Sequence, residues 1–144
     1  QMQLSTWINL FLQGKSCKVY AAPFDVRFIK PNGSPHTIVQ PDISIICDSS
    51  KLDDKGCLGA PDWIIEIVSP SSGSLDHVKK LNLYETYGVK EYWIVHPLEE
   101  TVMVFILNES NHYGRPQTYD ETGHIPVHIF EGELLIHLDK VFNS

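Results

Sequence analysis

Apolar residues recur at Leu4, Ile8, Leu10 and Phe11 and are followed by Gln13-Gly14, so the chain opens with a short amphipathic helix. Lys18 to Ala22 and Phe24 to Ile29 then predict two strands around Pro23, and Pro31-Asn-Gly-Ser-Pro is a turn signal. A third extended stretch runs from Thr37 to Asp48, where Pro41 suits a strand start and Ile43 to Ile46 continue as a buried strand. Residues 49–61 are rich in Ser, Asp, Lys and Gly and predict a loop. The run WIIEIV from Trp63 to Val68 has the profile of a central strand covered on both faces. Ser69-Pro-Ser-Ser-Gly-Ser ends it, and Leu75 to Tyr87 predicts a helix stopped by Gly88. Glu91 to Val95 and Thr101 to Leu107 predict further strands; alternation then weakens through Tyr113–Thr118 and Ile125–Phe130, before a short helix near Leu138–Phe142.

This order of helix, strands, helix and strands predicts an α/β fold built on a mixed sheet flanked by helices. With 144 residues, 42% of them hydrophobic, one core and one domain over 1–144 are expected. The longest apolar runs are far too short to cross a bilayer as a helix. Cys17, Cys47 and Cys57 are odd in number and lack C-x-x-C spacing, so neither a disulfide framework nor a zinc site is expected, and a reduced, cytoplasmic setting is the default. The chain begins at Gln1 without an initiator Met, and its start is read as missing. The formal net charge of -7 argues against tight binding of bulk nucleic acid. Carboxylates that hold a divalent cation add to such a charge, so a metal-dependent nuclease is not excluded by it.

Glu66 stands in the middle of an otherwise apolar strand. An unpartnered buried carboxylate costs several kcal/mol, a large part of a domain's net stability, so something must compensate it. One reading places it at an exposed strand end or in a structural pair with a Lys; another gives it an ion. Asp42, in a Pro-Asp dipeptide, ordinarily only opens a strand or turn. Together the two acids are what a hard cation such as magnesium needs, because its sites use one or two protein carboxylates plus water. On the helix from Leu75, about 100° per residue places Asp76, Lys80, Leu83, Tyr84 and Tyr87 on one broad face and turns Lys79 away. Lys80 either snorkels to solvent or pairs with Glu66, one short connection upstream.

In order, the segments APFDVRF (22–28), VQPDISIICD (39–48), GAPDWIIEIVSPSS (59–72), the spacing of Asp76, Lys80 and Tyr84, and YGVKEYWIVHP (87–97) resemble the Uma2 family of restriction-endonuclease-like proteins, within the PD-(D/E)xK nuclease superfamily. The resemblance implies a restriction-endonuclease-like α/β domain with Asp42 and Glu66 as the acidic positions of the motif. Where the superfamily often places Lys two residues after the second acid, this chain has Val68; the resemblance then points to Lys80 on the following helix. His96 stands where the family commonly has Asp and is read as peripheral, and the family's E-L-x-D-G-E-type hairpin is absent before Gln1. Asp25 is expected to pair with Arg27 or Lys30 or to face solvent, with Asp25, Asp76 and Tyr84 at most supporting the site; Tyr84 and Tyr92 are read as packing residues with tethered hydroxyls.

The implied activity is hydrolysis of DNA phosphodiester bonds by an endonuclease that uses Mg2+ or Mn2+, held by Asp42, Glu66 and the main-chain carbonyl of Ile67, with Lys80 positioning water or stabilising charge. A rival from another class is a catalytically inactive nuclease fold that serves as a binding or assembly module, which the acidic balance and Val68 favour. A second rival is a phosphoesterase acting on RNA or nucleotides. The apolar late strands 102–107 and 125–130 either cover the sheet or supply a homodimer contact, an arrangement that would suit cutting both strands of a duplex.

Overall fold

The structure, a computed structural model, describes residues 2–32, 37–69 and 74–142. Helix α1 (Met2–Leu12) forms because Leu4, Ile8 and Leu12 repeat at four-residue spacing; all three are buried on one stripe. Gly14, at φ 80, ends it. Strands β1 (Lys18–Ala21), β2 (Val26–Phe28), β3 (Thr37–Val39) and β4 (Ile43–Ile46) follow, the last of them wholly buried. The stretch expected to be a loop contains a 3-10 turn at Ser49–Lys51 and two short strands, β5 (Leu52–Asp53) and β6 (Gly56–Leu58). These carry too few residues for a periodic signal, and their pairing with β2 rather than their composition makes them strands. Part of the turn signal at 31–35 and of the Ser-Pro run at 69–74 lies outside the described residues.

Strand β7 (Trp63–Ile67) precedes helix α2 (Ser74–Tyr87), and then come β8 (Glu91–His96), β9 (Thr101–Ile106), β10 (Gln117–Tyr119), β11 (His124–Pro126), β12 (Leu135–His137) and α3 (Leu138–Phe142). At the end of α2 the N–H groups of Gly88 and Val89 both reach back to the Tyr84 carbonyl, with Gly88 at φ 84. This left-handed cap is the stop that Gly88 signals in the sequence.

Six strands form one sheet in the order β1-β4-β7-β8-β9-β10. Only β7 and β8 run parallel within it, because α2 carries the chain back over the sheet between them; the other neighbours are antiparallel. A four-stranded sheet, β3-β2-β6-β5, and a β11-β12 pair complete the strands.

Side chains alternate between the two faces of the large sheet, and the core divides accordingly. Ile43, Ile45, Trp63, Ile65, Trp93, Val95, Val102 and Val104 pack on one face against α1, Ile125 and Ile136. Ile46, Ile64, Tyr92, Ile94 and Phe105 pack on the other against Tyr84 of α2 and against Val26 and Phe28 of β2. Both faces of β7 are therefore covered, as its apolar run predicts. Val102, Val104, Ile125 and Val127 are buried inside the chain, so the late strands cover the sheet and do not present these side chains to a second copy.

Cys17 and Cys47 form a disulfide, which corrects the expectation of three reduced thiols. The cause lies in the register: Lys18 pairs with Ile46 across β1 and β4, so the next residues outward, Cys17 and Cys47, meet although 30 positions apart. Cys57 is free and buried, and burial pushes its thiol up to about 11. No helix among the described residues is long and apolar enough to cross a membrane.

Candidate active site

Asp42 immediately precedes β4, and Glu66 lies one residue from the end of β7. The antiparallel register sets Ile43 against Ile65, and one step further sets Asp42 opposite Glu66. Residues directly opposite in an antiparallel pair project from the same face. Alternation along β7 puts Ile65 against α1 and Glu66 on the side of α2, and the same count along β4 sends Asp42 to that side.

Hydrogen bonds hold both acids. The Asp42 N–H donates to Glu66 Oε1 at 3.3 Å, and the Ile67 N–H donates to Asp42 Oδ2 at 2.6 Å. The N–H and C=O of one residue in an extended strand point to the same side, so the Ile67 carbonyl also faces the Asp42 side of β7.

Helix α2 supplies the other groups. Lys80 Nζ lies 3.0 Å from Glu66 Oε2 and 3.6 Å from an Asp76 carboxylate oxygen one turn earlier. The Tyr84 hydroxyl donates to the same Glu66 Oε2 at 3.2 Å. Lys80 thus pairs with Glu66, while Lys79 is exposed, as the helical face predicts. Glu66 is only 5% exposed, and that burial raises its carboxyl above the ordinary range, opposed by the Lys80 ammonium and the Asp42 N–H. For Lys80, burial works downward, but the charges of Glu66 and Asp76 outweigh it and leave the ammonium raised. Tyr84 is pushed upward by burial first and then by the Glu66 charge, so it remains a neutral hydrogen-bond donor.

Asp42, Glu66, Ile67, Val68, Asp76, His77, Lys80 and Tyr92 line one cleft of about 60 Å³. That is room for an ion or a few waters. Two polar atoms in its wall, Tyr92 Oη and His77 Nε2, are buried and have no partner among the described residues. The expectation that Tyr92 has a tethered hydroxyl is thereby corrected: its neighbour Tyr84 takes the Glu66 oxygen, and Tyr92 Oη is buried without a partner among the described residues. His77 was not singled out by the sequence, where a polar residue in the first turn of a helix is unremarkable. Two carboxylates and a main-chain carbonyl suit a small, hydrated, hard cation.

Asp25 is not part of this cleft. It accepts from Gln40 Nε2 at 2.7 Å and lines a different hollow with Asp53 and Lys55, while Arg27, one of its expected partners, pairs with Asp53. His96, at the end of β8, is likewise absent from the lining. A larger hollow of about 510 Å³ contains Asp62 and Lys90, 3.4 Å apart, but Asp62 Oδ1 already accepts the Cys47 N–H at 2.8 Å.

Glu91 shows what a structural buried acid looks like in the same sheet. It is fully buried on the α1 side of β8, and its two oxygens accept from Trp93 Nε1 at 2.8 Å and the Ile129 N–H at 3.0 Å. Burial raises its carboxyl too. Its carboxylate is engaged by Trp93 and the Ile129 N–H and has no acid or lysine side chain paired with it among the described contacts, so burial of a carboxylate is not what singles out Glu66. The paired acid, the ammonium and the open space do.

The fold and cleft together define a class: an α/β domain whose mixed sheet, flanked by three helices, presents two opposed acids and a helix-borne lysine. A crystal structure described as that of a putative nuclease from Anabaena variabilis ATCC 29413 has the same fold, with a TM-score of 0.76 and 22% identity over 99% of this chain and 77% of that one. The chain belongs to the Uma2 family, described as putative restriction endonucleases, whose model matches residues 1–138. No curated protein matches the sequence.

Proposed function

We propose that this chain is a divalent-metal-dependent endonuclease that hydrolyses phosphodiester bonds in DNA, with Asp42, Glu66 and Lys80 as its catalytic residues. The observation that carries the proposal is the opposition of Asp42 and Glu66 in one cleft, with Lys80 3.0 Å from Glu66. Family membership and the nuclease described for the similar structure support the reaction class and DNA as substrate.

Asp42, Glu66 and the Ile67 carbonyl would hold Mg2+ or Mn2+. When bound, such an ion supplies an activated water and polarises a phosphoryl oxygen. The Ile67 N–H keeps Asp42 oriented, and Tyr84 keeps Glu66 turned into the cleft. Lys80 carries three N–H donors; among the described residues Glu66 and Asp76 engage it, and its side chain is one-third exposed. Its role is to orient the attacking water or to stabilise negative charge growing on the phosphoryl oxygens. PD-(D/E)xK chemistry is then carried with the lysine on α2 instead of on the strand.

A second reading, a catalytically inactive binding or assembly module, is favoured by the Lys80–Glu66 pair already satisfying the acid and by the net charge of -7. One experiment separates the two. Supercoiled plasmid is incubated with the protein and Mg2+ or Mn2+, beside Asp42→Asn and Glu66→Gln. The nuclease reading expects nicking that depends on metal and falls at least about a hundredfold in both variants. No metal-dependent nicking, or equal nicking by all three proteins, overturns it.

A further inference from the structure

The C-terminal strand pair brings together three metal-binding side chains that lie apart from the acid cleft. In the β11-β12 register His124 sits directly opposite His137, Ile125 opposite Ile136, and Pro126 opposite Leu135. Ile125 and Ile136 are buried against the α1 side of the large sheet, so alternation turns both histidines outward. The two imidazoles are 4.3 Å apart, centre to centre, and tilted by 60°. They are therefore tilted against each other and not stacked face to face.

The third group arrives through the start of α3. The Leu138 N–H donates to the Gly123 carbonyl at 3.0 Å, tying the first residue of α3 to the residue before His124. Asp139, next in the chain, is thereby folded back over the histidine pair. One ligand atom from each of His124, His137 and Asp139 lies within 4.8 Å of the other two. Three donors that share a cation at 2.0–2.2 Å stand about 3–4 Å from one another, close to the spacing of this set.

We propose that His124, His137 and Asp139 form a second metal site, which takes a borderline divalent transition ion of the zinc class. The donor chemistry sets the preference. Two neutral imidazoles and one carboxylate suit Zn2+, Co2+, Ni2+ or Cu2+, whereas the oxygen donors of the Asp42–Glu66 cleft suit Mg2+ or Mn2+. The two sites lie on opposite sides of the large sheet, since the β11-β12 pair packs on the α1 face and the acid cleft opens on the α2 face. His124 and Asp139 are exposed, which leaves the remaining coordination positions to water. The ion would bind β11, β12 and α3 to one another, and its binding does not depend on the nuclease reading.

The test is equilibrium competition for Zn2+ with a chromophoric chelator, in excess Mg2+ to occupy the acid cleft, followed by Co2+ titration read by visible absorption. The proteins are the full chain, His124→Ala, His137→Ala, Asp139→Asn and Glu66→Gln. One tight ion per chain is expected, weakened at least about tenfold by either histidine variant, less by Asp139→Asn, and not at all by Glu66→Gln. Affinity should also fall on acidification, because imidazole binds metal only as the neutral ring. His124 is exposed, so its variant folds even if that of half-buried His137 does not, and circular dichroism checks both. Equal affinity of His124→Ala and the parent chain, or loss only in Glu66→Gln, overturns the proposal.

Discussion

Tyr84 and Lys80 converge on one atom, Glu66 Oε2, from successive turns of the same helix, at 3.2 and 3.0 Å. One buried oxygen thus receives a neutral and a charged donor, while the other, Oε1, is engaged by the Asp42 N–H at 3.3 Å. The carboxylate is held in a single orientation from two directions, by α2 and by the start of β4.

Removing the hydroxyl alone tests the positioning. Tyr84→Phe keeps the ring that packs against Phe28 and Tyr92 but leaves Oε2 to Lys80. We expect a loss of about 1.5–3 kcal/mol in urea unfolding, as for a hydrogen bond to a charged group. The metal-dependent rate should fall by less than in Glu66→Gln. A variant as stable as the parent chain would show that the 3.2 Å contact contributes nothing.

Lys80→Met removes the ammonium but retains a comparable aliphatic volume. Breaking a fully buried pair costs about 3–5 kcal/mol; Lys80 is one-third exposed, so screening reduces the expected cost to roughly 1–3 kcal/mol. The Glu66 carboxyl should rise further, since its main opposing charge is gone. Carboxyl titration by 13C NMR reads this directly, and an unmoved Glu66 resonance argues against the pair.

Glu91 determines a pH dependence. Its folded carboxyl is raised by burial, so between the unfolded and folded values the native state binds more protons than the unfolded chain. Stability contributed in this way is complete below the unfolded value, near pH 4.3, and is lost as pH rises through the folded one. The difference in unfolding free energy between the parent chain and Glu91→Gln should therefore decline as pH rises from about 4.5 toward 7. Parallel curves would contradict this.

Gly56→Ala tests the small sheet. At φ 130 a side chain is strained, and a Cβ would stand 2.3 Å from the Asp25 carbonyl oxygen, which accepts the Cys57 N–H. We expect about 2–3 kcal/mol of destabilisation, or roughly 5–10 °C in Tm. A melt within 1–2 °C of the parent would show that β6 relaxes freely.

Thiol counting checks the disulfide. Denatured but unreduced protein should titrate one thiol, Cys57, and fully reduced protein three. Closing a loop across 30 positions should stabilise the oxidised chain by about 3–4 kcal/mol, measured as the difference between oxidised and reduced unfolding. Three thiols before reduction would remove the bridge.

Local sequence was sufficient wherever the physical signal was local. The apolar recurrence at Leu4 and Ile8, the run from Trp63 to Val68, the helix closed by Gly88 and the mixed order of elements could all be read along the chain, because side-chain periodicity and backbone restriction act over a few residues; Leu10, read into the same apolar stripe, is exposed, and Leu12 takes the buried place. The same logic placed Lys80 on the inward face of α2 and Lys79 outside. Glu66 stood out because an acid conflicts with its apolar neighbours. What only the tertiary structure decided depends on register and on partners distant in sequence. A pairing offset sets Asp42 against Glu66, Cys17 against Cys47 and His124 against His137 across 24, 30 and 13 positions. Contacts between distant elements likewise make β5 and β6 strands and give Glu91 its Ile129 donor. A one-residue change in strand register would reverse every one of these faces without altering any local propensity, which is why the sequence pattern carries the elements and only their docking carries the sites.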